Sequence, residues 1–269
     1  MSKATKGTKL HIIYADGIGS NQAGYTDGQS ILYKVVERLI ELDSTAKATR
    51  VNWPASMATV GGSHSWVESS RIGVVDVDRI MREHPGSKFI LLGYSGGNRV
   101  IHEWLDQANK DELATIAAVG LMSDPYRPRG RKQNELPETR GWGICGERPG
   151  PIPSRTFWTT VPGDVISDAL PDAILRTPAD ASGVMPGEFV GELQKYLKTG
   201  NLQLAWQLDV FKKNPLGWLL GLGPRLHQAR LDITGYLTGT HTTAYVIPYA
   251  GGASLAHRLA NSINWHINH

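Results

Sequence analysis

Apolar positions along the chain switch between two periods. Short runs rich in β-branched and aromatic residues, the mark of buried strands, alternate with stretches where apolar residues recur every three or four positions, the mark of amphipathic helices. The first run, Lys9 to Ala15 (K-L-H-I-I-Y-A), passes into the glycine-punctuated loop D-G-I-G-S-N. Leu32, Val35, Val36, Leu39 and Leu42 then fall on one helical face. A second strand is expected over Ala48 to Trp53, stopped by Pro54. Ser65 to His84 reads as a helix with Val67, Val74, Val77 and Met81 on one side, ended by Pro85-Gly86. Lys88 to Leu92 is the third strand, and Val100, Ile101, Trp104, Leu105 and Ala108 mark the helix after it. Thr115 to Met122 and Thr156 to Val161 supply two more strands, and Ala253 to Ile267 a closing helix.

Strands alternating with helices predict an α/β fold, a mostly parallel sheet covered on both faces. In such sheets the functional site lies along the edge formed by the strand C-termini. Two segments break the rhythm. Ser123 to Pro153 is a long loop rich in Pro, Gly and Arg, longer than ordinary connections and so either functional or mobile. Pro186 to Leu231 is dense in Leu and Trp with Gly/Pro breaks, which suggests short helices inserted between core elements. The expected organisation is a core over residues 1–180, a helical insertion over 181–235, and the last part of the core over 236–269.

Composition narrows the function. With 269 residues, 41% hydrophobic and 20% charged, the chain has the make-up of an ordinary globular domain. A formal charge of +3 gives no footing for nucleic-acid binding. One cysteine, Cys145, excludes an intramolecular disulfide. The polar start M-S-K-A-T-K-G-T-K-L lacks the apolar core of a signal peptide, so synthesis in a cytoplasm is expected. Pro215 to Pro224, the most apolar later stretch, is far shorter than the roughly 18–20 residues of a membrane span, so no stable insertion into a membrane is expected.

The stretch I-L-L-G-Y-S-G-G-N-R, residues 90–99, ends a strand in a serine fenced by glycines, with a helix directly after it. G-x-S-x-G in that setting is the nucleophile-elbow pattern: a sharp turn lifts the hydroxyl of Ser95 above the sheet edge. The helix that follows aims its N-terminal N–H groups at developing negative charge. The alternative is an ordinary turn with Ser95 as helix N-cap.

An elbow of this kind predicts the chain order Ser, acid, His. That order removes His11, His64 and His84, and His102 is carried away from the strand edge by the helix after the elbow. Among the later histidines, His227 lies in the inserted region, and His257, His266 and His269 belong to the terminal helix and chain end. His241, in the loop T-G-T-H-T-T-A-Y, can reach back to Ser95 and is the expected base; a solvated loop histidine is the competing reading. The acid must orient the imidazole and stabilise the imidazolium. Asp164, in F-W-T-T-V-P-G-D, is favoured, Asp124 in M-S-D-P is the runner-up, and Asp168 is a nearby rival. The oxyanion would be held by the N–H of Gly96 with Gly17 or Ile18 from the loop D-G-I-G. Neither H-E-x-x-H nor C-x-x-C occurs, so neither a catalytic metal nor a cofactor is expected.

Taken together, G-Y-S-G-G, S-D-P-Y-R-P-R-G, G-W-G-I-C-G-E-R-P-G-P-I-P and F-W-T-T-V-P-G-D resemble lysin B, the bacteriophage esterases related to cutinases. The resemblance spans about residues 8–265. It implies a cutinase-like α/β-hydrolase with a central mostly parallel sheet and a helical insertion between acid and histidine. It also implies Ser95 as nucleophile, Asp164 as acid and His241 as base. The implied substrate is mycolyl-arabinogalactan of the host envelope, or another lipid ester, reached by a protein made in the host cytoplasm. One departure concerns the first loop, where many members begin His-Gly and this chain has Ala15-Asp16-Gly17.

Two further segments invite a role. N-L-Q-L-A-W-Q-L-D-V-F, with Trp206 and Phe211, could cradle an acyl chain, although a Leu/Trp stripe is more often packing between helices. Arg127, Arg129, Arg131 and Lys132 form a basic cluster read as a solvated loop, with attraction of anionic wall polymers as the other possibility. A general lipid esterase and a wall-binding module without chemistry are the competing functions. The second has no need of Ser95, Asp164 and His241 together.

Overall fold

The computed structural model describes residues 9–57, 60–133, 136, 138–148, 150, 152–173, 175–176, 213–214 and 221–269. Its strands are β1 (Leu10–Ala15), β2 (Lys47–Arg50), β3 (Lys88–Tyr94), β4 (Ile116–Met122) and β5 (Thr156–Thr159). They form one sheet in the order β2-β1-β3-β4-β5, with every neighbouring pair parallel. The helices among the described residues are α1 (Tyr33–Leu42), α2 (Trp66–Glu83), α3 (Asn98–Gln107), α4 (Lys110–Thr115), α5 (Leu222–Leu237) and α6 (Leu255–Asn268).

The central strands β1, β3 and β4 read as nearly continuous apolar runs because both faces of the sheet are covered there. Successive side chains point to opposite faces. Ile12 and Tyr14 of β1, with Ile90 and Leu92 of β3, meet Val35, Val36 and Leu39 of α1 and Leu259 and Ile263 of α6. Ile13, Leu91, Val119 and Leu121 face the other way, onto Val74, Val77 and Ile80 of α2 and Val100, Ile101 and Trp104 of α3. No helix among the described residues is long and apolar enough to cross a membrane.

Several boundaries differ from the sequence expectation. The ladder of β2 stops at Arg50 rather than Trp53. Val51 N still donates to Tyr14 O at 2.9 Å, but Asn52 N turns away to the Asp76 carboxylate at 2.7 Å. β3 runs on to Tyr94, where it pairs with Met122. Helix α4 escapes the apolar pattern because it rests on its cap. Asn109 accepts from the N–H groups of Asp111 and Glu112, and Glu112 takes the N–H of Asn109.

Much of the long loop after β4 is fixed from inside. Arg127 is fully buried and donates to the carbonyls of Ser167 (2.6 Å), Arg131 (2.7 Å) and Gly141 (2.8 Å). Arg176, also buried, reaches the carbonyls of Gly143 (2.7 Å) and Ala169 (2.6 Å). Trp142 lies under two guanidiniums, those of Arg129 (4.4 Å) and Arg176 (4.3 Å). The expected basic surface cluster therefore needs correction. Its first member is an internal brace, because the loop's carbonyls need donors that water cannot reach. Of the expected insertion, residues 181–212 and 215–220, with Trp206 and Phe211, lie outside the described residues.

His11 gives the fold a pH dependence. It is buried on β1, its Nε2 is 2.9 Å from Thr49 Oγ1, and its ring stacks at 3.8 Å on His84. Burial, and then the charge of His84, lowers its pKa from 6.5 to about 4. The unfolded chain therefore binds this proton at a pH where the folded one does not. Its contribution is complete above pH 6.5 and is lost as the pH falls toward 4. Urea unfolding should show a loss with a slope of at most about 1.4 kcal/mol per pH unit in that window. His11→Gln should flatten that part of the curve, and identical pH dependence in the two proteins would refute the assignment.

Candidate active site

Ser95 begins a 3-10 turn, Ser95–Gly97, between the end of β3 and the start of α3. Its backbone lies in the left-handed region at φ +51°, which costs a residue with a side chain about 1–2 kcal/mol. The surroundings impose it. A Cβ on Gly97 would collide with the carbonyls of Ala15 and Asp16, and one on Gly93 with the side chain of Asn98. The chain thus passes tightly against β1 and turns at once into a helix whose N-terminus favours negative charge beside Ser95.

His241 lies in the loop between α5 and a 3-10 turn, Thr243–Tyr245, and is buried. Its Nε2 is 2.8 Å from Ser95 Oγ, and its Nδ1 is 3.1 Å from Asp164 Oδ1. The Tyr94 hydroxyl donates to the His241 carbonyl at 2.5 Å. Two rings stack on the imidazole, Tyr94 at 5.4 Å and Tyr236 of α5 at 4.6 Å, both near parallel to it.

Asp164 follows β5 and is shut off from solvent. Burial alone pushes its carboxyl up. The His241 charge and hydrogen bond, with the hydroxyls of Ser123 and Tyr245, outweigh that and hold it below the ordinary 3.8. Ser123 donates to its Oδ2 at 2.5 Å and Tyr245 at 2.6 Å, while Ile166 N donates to Oδ1 at 3.1 Å. The carboxylate is ionised at neutral pH, the state that steadies an imidazolium.

The structure thus brings Ser95, His241 and Asp164 into one hydrogen-bonded chain. The rival carboxylates have other partners. Asp124 accepts from Trp158 Nε1 (3.0 Å) and Tyr126 N (2.9 Å) and faces His102 Nε2 at 3.0 Å. Asp168 takes the N–H groups of Gly141 (2.7 Å) and Gly163 (2.9 Å) beside Arg127. Gly17, Ile18 and Gly96 line the space next to Ser95, and the Gly17 N–H donates to the Asp16 carboxylate at 2.9 Å. Ser123, Tyr245, Tyr94 and Tyr236 are the site residues that sequence reasoning missed. Only Tyr94 carried a signal, its place inside G-Y-S-G-G.

Ser95 and His241 open into a cavity of about 630 Å3, the size of a small-molecule site. Ile31, Met57, Val60, Ile144, Val165 and Leu237 are among its apolar lining. Among the described residues no cluster of His, Cys, Asp or Glu could hold a metal ion. The arrangement can activate a hydroxyl, carry its proton on a buried imidazole, and receive an apolar group beside it.

The sequence matches the family model described as Cutinase over residues 6–150. No curated protein matches it. Among solved structures, lysin B from Mycobacteriophage D29 is similar at 16% identity and TM-score 0.51, over 77% of this chain and 90% of that one. A cutinase-like protein from Cryptococcus sp. aligns at 17% identity and TM-score 0.46, over 76% and 94%. The catalytic core of acetyl xylan esterase from Trichoderma reesei aligns at 16% and 0.45, over 71% and 94%.

The support of Asp164 can be tested at Tyr245. Tyr245→Phe removes a donor to a buried carboxylate and leaves Val161 N, 3.2 Å from the Tyr245 hydroxyl, without that acceptor. The expected cost is about 1–3 kcal/mol in urea unfolding at pH 7. Because the folded pKa of Asp164 is depressed, the gap should be full above about 3.8 and shrink as the carboxylate protonates below it. A gap independent of pH would mean that the hydroxyl does not serve the charge.

Proposed function

The chain belongs to the cutinase family, and from that premise we propose that it is a serine ester hydrolase acting through Ser95, His241 and Asp164. The observation that carries this reading is the 2.8 Å contact between Ser95 Oγ and His241 Nε2 at the mouth of an apolar cavity. Ser95 Oγ attacks the ester carbonyl while His241 Nε2 takes its proton. Asp164, ionised and facing Nδ1, stabilises the imidazolium. The N–H groups of Gly96 and Ile18 hold the oxyanion, with the α3 N-terminus behind them. The imidazolium then protonates the departing alcohol. Water repeats the sequence on the acyl-enzyme, releasing a carboxylic acid and restoring Ser95.

The finer reading is that the acid is mycolic acid and the alcohol arabinogalactan, cleaved at the envelope of a mycolate-bearing host during phage lysis. It is supported by the lysin B-like motifs from residue 93 to residue 164, by the apolar cavity walls, and by the overall likeness to a phage lysin B. Incubation of purified mycolyl-arabinogalactan should yield free mycolic acid with the wild type and not with Ser95→Ala, a loss of at least about 1,000-fold. Mass spectrometry reads the acid directly. Cleavage of a short p-nitrophenyl ester without release of mycolic acid would keep the hydrolase and discard the substrate. Equal release by both proteins would reduce Ser95 to a turn residue.

A further inference from the structure

We propose that Ser123 is a positioning residue of this site, whose hydroxyl selects the reactive tautomer of His241 and ties it to Asp164. The proposal rests on the reading of Ser95, His241 and Asp164 as the hydrolytic machinery.

Two serines occupy equivalent places on adjacent strands. Tyr94 of β3 pairs with Met122 of β4, so Ser95 and Ser123 are the next residue on each. Both are left-handed, at φ +51° and +50°. Both hydroxyls meet the same imidazole, Ser95 Oγ at 2.8 Å from Nε2 and Ser123 Oγ at 3.0 Å from Nδ1. One side chain joins the two turns: Asn98 Nδ2 donates to Ser95 O at 3.0 Å and to Met122 O at 2.9 Å. Ser123 N, for its part, donates to Thr159 O at 2.9 Å, which holds the turn whatever the side chain.

Proton bookkeeping then fixes the chemistry. A serine hydroxyl has one proton. In Ser123 it lies toward Asp164 Oδ2, at 2.5 Å, so the lone pairs of Oγ are what Nδ1 meets. The other neighbour of Nδ1 is Asp164 Oδ1, also an acceptor. Flanked by two acceptors, Nδ1 carries the hydrogen and Nε2 presents its lone pair to Ser95, the form a general base requires. The same oxygen stabilises the imidazolium once Nε2 has taken a proton. A buried serine in a left-handed turn is a costly choice where glycine would be unstrained. The hydroxyl is what glycine would lack.

Ser123→Gly and Ser123→Ala separate hydroxyl from backbone, since glycine relieves the turn and alanine keeps its strain. On a short p-nitrophenyl ester both variants should lose about tenfold or more in kcat with KM within about twofold, and glycine should not rescue. In 15N-histidine spectra the His241 Nδ1–H signal should weaken or shift in both, with thermal melts confirming that both are folded. Wild-type kcat in Ser123→Gly, or a change confined to KM, would overturn the proposal. If the wild type hydrolysed no ester, the functional reading would fall. The histidine spectra would still decide whether Ser123 sets the tautomer, and an unchanged spectrum in Ser123→Gly would sink that too.

Discussion

A charge buried away from water must be answered by donors, and the carboxylate of Asp164 is the charge around which this molecule is arranged. Its answering groups come from three stretches of the chain: Ser123 after β4, Ile166 and Ser167 just beyond Asp164, and His241 and Tyr245 after α5. Removing one withdraws a donor from a buried charge, which costs more than an exposed hydrogen bond would. The sheet sets Ser123 and Asp164 at the ends of neighbouring strands. Tyr245 lies in the core cluster that α1 and α6 close against the sheet. Core packing and site geometry are therefore one constraint, because Tyr245 belongs to both.

The second requirement is that Ser95 stand clear of the sheet without a flexible backbone. Close packing supplies this. Gly97 lets the turn press on the end of β1, Trp66 Nε1 holds Gly96 O at 3.0 Å, and Asn98 bridges to the end of β4. A strained backbone persists only where its surroundings over-determine it. Here three elements do so at once.

Sequence reading recovered what depends on period and local chemistry. The five strands, the flanking helices and the elbow at Ser95 follow from apolar spacing and from a motif that needs glycine. Asp164 and His241 followed from chain order, and the distances set His241 against Ser95 and Asp164 against the far nitrogen of His241. Other features are set by contacts distant in sequence. Nothing around Arg127 in R-P-R-G-R-K distinguishes an internal brace from a surface cation, because its partners are carbonyls as far away as residue 167. Ser123 and Tyr245 sit 41 and 81 residues from the carboxylate they serve. Helix α4 was missed for the opposite reason, since its signal is a cap rather than a face.

The tyrosines stacked on His241 show how the two ends of the chain are made to agree. Tyr94 ends β3 and holds the carbonyl of His241, so the strand that leads into Ser95 also sets the height of the loop carrying its partner. Tyr236 comes from α5, outside the sheet, and stacks on the same ring at 4.6 Å. Because Tyr236 and Leu237 also line the cavity beside Ser95, α5 forms part of its lining while touching His241 itself. A displacement of α5 would therefore change the cavity and the environment of His241 together.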